Sequence, residues 1–163
     1  MWLSKRITRR AAMLGAVSAT AACGFQPVLA PGGIASQLSG KVVVAAPQTE
    51  EGFLLRRDLE TRLGRSTTEL YRLEVDPRTS AQGQAVTAAG EITRFSLVGE
   101  ATYKLVRIAD GQVVASGKVD NFTGSSATGS TVETLAAENS ARERLMTILA
   151  DQIVARLFSL RAL

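Results

Sequence analysis

Apolar residues recur at helical spacing in one part of this chain and alternate with polar ones in another. From about Thr131 to Leu160 an apolar series, Leu135, Ala141, Leu145, Met146, Leu149, Ala150, Ile153, Val154, Leu157 and Phe158, forms one broad stripe. That spacing predicts a long core-packing helix. Ser130 or Thr131 is its expected cap, Arg142, Glu143, Asp151 and Arg156 form its polar side, and Glu138 stands four residues before Arg142 as a favourable pair. A shorter helix is expected over Glu50–Leu63, with Leu55, Leu59 and Leu63 on one stripe, Phe53 beside them and Gly64 as its C-cap. Thr49 is its N-cap and puts Gly52 at the third helical position, so no full capping box forms.

The strands read from alternation and from punctuation. Lys41 to Pro47 is a β-branched run stopped by proline. In Glu69 to Val75, Tyr71, Leu73 and Val75 alternate with Leu70, Arg72 and Glu74, and Pro77 is expected to end the strand. A polar loop from Arg78 to Gln84 then leads to a long strand region, about Val86 to Ile108, with Gly90 and Gly99 as bend points. Asp110-Gly111 marks a hairpin, and the last strand covers about Gln112 to Thr123. Leu97, Ala101, Tyr103 and Leu105 on one arm and Val113, Ala115, Gly117 and Val119 on the other are apolar or small, and all odd-numbered. A three-residue loop, Asp110 to Gln112, pairs odd with odd and collects them on one face. That register sets Lys104 opposite Lys118 and Thr102 opposite Asp120. Two facing lysines either splay apart in solvent or bind a phosphate or carboxylate, with Arg94 or Arg107 nearby. The whole is an α+β domain, with two helices packed on one face of a four-stranded mixed sheet in the order β-α-β-β-β-α.

Composition closes several chemistries. The chain has 163 residues, no His and one Cys, which removes Ser-His-Asp and Cys-His nucleophiles and the commonest metal ligand. Neither a metal nor a cofactor is expected. Gly124 to Ser130 lies between strand and helix as a P-loop would, but lacks the lysine a nucleotide site needs. The formal charge of +4 suits nucleic acid only until its location is read. Lys5, Arg6, Arg9 and Arg10 precede an uncharged stretch, Ala11 to Ala22, and then Cys23. This is the form of a secretory signal peptide, and without its four basic residues the chain has fifteen basic residues against fifteen acidic ones. Nucleic acid is therefore not an expected partner. Twelve helical residues rise about 18 Å, short of a hydrocarbon core of about 30 Å.

Thr20-Ala21-Ala22-Cys23-Gly24 resembles a bacterial lipobox, with Thr20 where Leu is usual. Cys23 would then be the lipid-modified first residue of the mature protein, a role that suits an exported cysteine with no partner for a disulfide. Cleavage of an ordinary signal peptide a residue or two away is the alternative, and Arg9-Arg10 leaves both general and twin-arginine export open. Three parts follow: a signal peptide over 1–22, the lipidated Cys and an extended tether with Pro27 and Pro31 over 23–40, and one domain over 41–163.

The segment Cys-Gly-Phe-Gln-Pro-Val, Cys23 to Val28, resembles the opening of the LPS-assembly lipoprotein family LptE, and AAENSARERLMTILADQIVARL, Ala136 to Leu157, is similar to that family's final helix. The resemblance implies two helices against one face of a four-stranded sheet, and no catalysis. It implies an anchor in the periplasmic face of the outer membrane, a position as a plug inside the LptD β-barrel, help in assembling that barrel, and delivery of lipopolysaccharide to the cell surface. Only Cys23 carries over by position, as the lipid attachment site; Lys104, Lys118, Arg94 and Arg107 are candidates for anionic-lipid contact. Two readings stand beside it, a generic envelope lipoprotein acting as a structural or transport-accessory module, and a periplasmic hydrolase using paired acids.

Overall fold

The structure is a computed structural model that describes residues 32–86, 92–126, 130–160 and 163. Its elements are α1 (Ile34–Leu38), β1 (Val42–Ala45), α2 (Glu50–Leu63), β2 (Tyr71–Val86), β3 (Ile92–Arg107), β4 (Val113–Ser126) and α3 (Thr131–Phe158). The sheet order is β1-β2-β3-β4, with β1 parallel to β2 and the other pairs antiparallel. This is the expected mixed sheet, with α2 and α3 packed on one face.

Both long helices begin where their caps dictate. The Thr49 hydroxyl accepts from the Gly52 N–H at 3.1 Å. Ser130 and Glu133 form a full capping box at the start of α3, the Glu133 carboxylate accepting from the Ser130 N–H at 2.7 Å. α2 stops at Gly64, whose φ of 78° suits glycine, and its last carbonyl, on Leu63, accepts from the Gly40 N–H at 2.9 Å. Leu54 joins Leu55, Leu59 and Leu63 in the core, whereas Phe53 faces solvent beneath the Arg56 guanidinium.

The core is one cluster. Leu73 and Val75 of β2, Ala101, Tyr103 and Leu105 of β3 and Val119 of β4 meet the leucines of α2 and the stripe of α3 from Leu145 to Leu157. Odd-numbered residues thus share the covered face, as the alternation requires. Gly99 lets helix and sheet close, and Gly117 makes room within the sheet for the Tyr103 ring across the ladder. A Cβ on Gly99 would stand 2.7 Å from Leu145 Cδ2, and one on Gly117 would stand 3.0 Å from the Tyr103 ring. Gly99 is therefore a packing position and not the expected bend, and it pairs in register with Thr79 and Asn121. Gly90 lies outside the described residues.

Three expectations fail, for physical reasons. Pro77 does not end β2; it is buried and pairs with Ala101, while the strand runs on through the expected loop 78–84. β1 pairs with β2 only as far as Glu74, so beyond it β2 has an unpaired edge where a missing N–H costs nothing. Residues 34–38, placed in the extended tether, form α1, which buries Ala35 and Leu38. The β3–β4 register is also shifted, as described below.

Gly52 shows how tightly the first crossover is packed. A Cβ there would stand 2.2 Å from the Pro47 carbonyl oxygen, a backbone atom that cannot swing away. Gly52→Ala is expected to destabilise the domain by about 1–3 kcal/mol, despite alanine's better helix propensity. Thr49→Ala should cost about 1 kcal/mol by loss of the cap alone. Urea denaturation followed by circular dichroism ranks the two, and a neutral Gly52→Ala would contradict the packing.

Candidate functional site

The hairpin that was to bring Lys104 and Lys118 together turns differently. Its loop holds four residues, Ile108 to Gly111, closed by the Arg107 N–H donating to the Gln112 carbonyl at 2.8 Å. Gly111 supplies the positive φ of 70°. Such a loop pairs odd with even, as Val106 with Val113. One extra residue, Val114, then slips the register so that Leu105 pairs with Ala115. Odd meets odd again, but two positions from the expected register. Lys104 lies opposite Ser116 and Lys118 opposite Thr102, while Asp120 faces Glu100. The slip also exposes Val113 and leaves Val114 against the core.

The four candidate cations do not form one site. Lys118 is ion-paired with Glu100. Arg107 donates from Nη1 to Asp110 and to the Gln112 side chain, both at 2.9 Å, and its work is to hold the turn. The hydrogen bond to Asp110 raises the Arg107 pKa, and the Gln112 N–H followed by Arg107 holds the Asp110 carboxyl below its ordinary value. Lys104 is exposed with no ion pair among the described residues, although Glu74 lies directly across the ladder. Arg94, opposite Ala85 and Ser126, is exposed at the other end of the sheet. Arg94 and Arg107 are thirteen steps apart along β3, roughly 43 Å at about 3.3 Å each. Cys23 lies outside the described residues.

Acids and bases elsewhere serve as ties between helices. Arg142 of α3 reaches Glu50 at 3.4 Å and Glu51 at 3.5 Å, and not the expected Glu138. Arg62 of α2 pairs with Asp151 of α3. Asp58, buried, accepts from the Thr147 hydroxyl at 2.7 Å and from Arg57 at 3.0 Å. The carboxylates that approach one another here are held by arginines, an arrangement for fastening two helices. Among the described residues no group of three or more His, Cys, Asp or Glu side chains could hold a metal ion. A cavity of about 120 Å³ lies under the N-terminal half of α3, walled by Phe95, Leu97 and Ala141. The Ser125 hydroxyl on its lining has no hydrogen-bond partner among the described residues. No described helix is long and apolar enough to cross a membrane.

A single-layered sheet with two helices on one face and an exposed, mostly polar face on the other defines a small α+β domain. The family described as LptE, Lipopolysaccharide-assembly, matches residues 40–157, and the chain belongs to it. No curated protein matches. Among solved structures, a putative lipoprotein from Caulobacter crescentus CB15 is similar at 21% identity and a TM-score of 0.65, over 77% of this chain and 93% of that one. A minor lipoprotein from Acinetobacter baumannii follows at 17% and 0.57, over 74% and 91%. The rare lipoprotein B from Shewanella oneidensis matches at 10% and 0.56, over 73% and 92%. At these identities the three support the fold.

The Arg107–Asp110 pair gives a titration with a fixed sign. The folded pKa of Asp110 is depressed, so its contribution is complete above the unfolded carboxyl value and is lost as pH falls through the folded one. By carboxyl NMR, Asp110 is expected to titrate below the ordinary 3.8. Arg107→Gln should move the midpoint up but leave it short of that value, because the Gln112 N–H, the larger cause, remains. An unchanged midpoint in the variant would remove Arg107 from the turn.

Proposed function

We propose that this chain is a lipoprotein of the outer membrane, attached through lipid on Cys23 to its periplasmic face, which plugs an LptD-like β-barrel, assists its assembly and helps deliver lipopolysaccharide to the surface. The observation that carries this reading is the family match over residues 40–157, which spans β1 through nearly all of α3. The lipobox-like run before Cys23 and the opening Cys-Gly-Phe-Gln-Pro-Val add to it. The shape is compatible with a lumen: four strands side by side span only about 15 Å, and the sixteen-residue strands run about 50 Å.

For lipopolysaccharide contact, Arg94 and Lys104 are the stronger candidates, since Lys118 and Arg107 are already paired with acids. Both project from the polar strand positions and need no rearrangement to meet a phosphate.

Affinity purification of the tagged mature protein from membranes is expected to recover a large β-barrel, and depletion should lower the amount of correctly assembled barrel. Recovery of no barrel would leave the generic envelope lipoprotein in its place. Cys23→Ala should abolish the acyl mass on the mature N-terminus and move the protein out of the membrane fraction.

A further inference from the structure

The open face of the sheet is mostly polar; three of its exposed large apolar side chains gather at one end, while Phe122 stands apart near the other. Leu70, Ile108 and Val113 are 44%, 40% and 52% exposed. They share that face: the Ile108 N–H donates to the Leu70 carbonyl at 3.0 Å, and Val113 pairs with Val106. Val113 joins the patch only because of the Val114 slip, which turns it away from the core. Arg72, paired with Val106, borders the patch and has no ion pair among the described residues; Glu69 and Glu74 are the nearest acids in sequence.

This is also the end where the chain joins the domain. The N–H groups of Thr67 and Thr68 donate to the Gly40 carbonyl, and those of Leu70 and Tyr71 to the Lys41 carbonyl. Leu70 is therefore stitched to the strap that leads back through α1 to Gly33, and five helical residues add only about 8 Å. Gly32 is nine steps along the chain from Cys23, a reach of at most roughly 30 Å even fully extended. The other end of the β2–β3 hairpin lies about 50 Å away along the strands. Whatever lipid Cys23 carries holds the patch end, and not the far end, close to the bilayer.

We propose that the patch of Leu70, Ile108 and Val113, bordered by Arg72, docks on the bilayer surface beside the acyl anchor and fixes the tilt of the domain there. The inference rests on lipidation of Cys23. Apolar side chains at the headgroup boundary with a cation beside them are what an interfacial contact needs, and an acyl anchor supplies the high local concentration that makes a small patch sufficient.

The only Trp in the chain is Trp2, ahead of Cys23, so the mature protein accepts single-tryptophan reporters. Lipidated protein carrying Ile108→Trp, or Phe122→Trp as control, is reconstituted into phosphatidylethanolamine–phosphatidylglycerol vesicles containing lipids brominated on the acyl chains. Phe122 is 67% exposed on the same face, nine residues further along β4, or about 30 Å away. Quenching at position 108 is expected to exceed that at 122 at least threefold. Equal quenching at both positions, or none at 108 in protein whose acyl mass is confirmed, overturns docking and leaves the anchor intact. Absence of the acyl mass overturns the anchor reading and docking together. Shielding of the tryptophan at 108 only when the barrel is added makes the patch a protein interface and also overturns the proposal.

Discussion

From Ala141 to Leu157 the apolar stripe of α3 must be covered along its whole length, and a sheet can cover it only by showing a single apolar face. Each fully buried leucine in that stripe is worth about 1.5–3 kcal/mol against exposure, so slipping a strand by one residue would be ruinous. This sets the β3–β4 hairpin its problem. Its four-residue loop delivers the wrong parity, and the unpaired Val114 restores it before Leu105 reaches the core. The glycines obey the same demand. Gly99 gives up its side chain to Leu145, so helix and sheet approach where a Cβ would hold them apart, and Gly117 leaves room for the ring of its cross-strand partner Tyr103.

Within that layer, polar groups set position and contribute little depth of stability. Arg142 to Glu50 and Glu51, Arg62 to Asp151, and Asp58 to Thr147 are strung along the α2–α3 seam. Partly exposed pairs of this kind are worth about 1 kcal/mol or less each. Their value is registry, since two leucine-rich helices could otherwise slide by a turn at small cost. The arginines of α2 are taken up by these ties and by the Arg56–Glu60 and Arg57–Asp58 pairs.

How much was legible follows from where each feature is written. Helix α2 starts and ends at the residues its caps name, and the Ser130 cap is equally local, so short-range chemistry sufficed for both. The covered face was legible because parity survives any shift by two. The cation cluster failed because it needed the exact register, which depends on loop length and on the Val114 slip, and periodicity records neither. Glu138 lost Arg142 to Glu50 and Glu51 for a similar reason: the competitors lie some ninety residues away in sequence. Five residues of α1 are too few to show a period, and Pro77 reads as a stop unless the end of β1 at Ala45 is known.

The Val114 slip reaches beyond the core. By restoring parity it puts Val113, a residue the alternation assigns to the interior, on the open face beside Ile108 and Leu70. A three-residue loop would have paired odd with odd from the start and closed the hairpin without exposing a valine. The loop used instead is braced by Arg107, Asp110 and Gln112, all spent on holding a turn. An exposed apolar side chain at that place brings the fold no packing, and the residues that hold it there are fully committed. The cost is consistent with a surface that something covers, at the end of the domain where the N-terminal strap joins it.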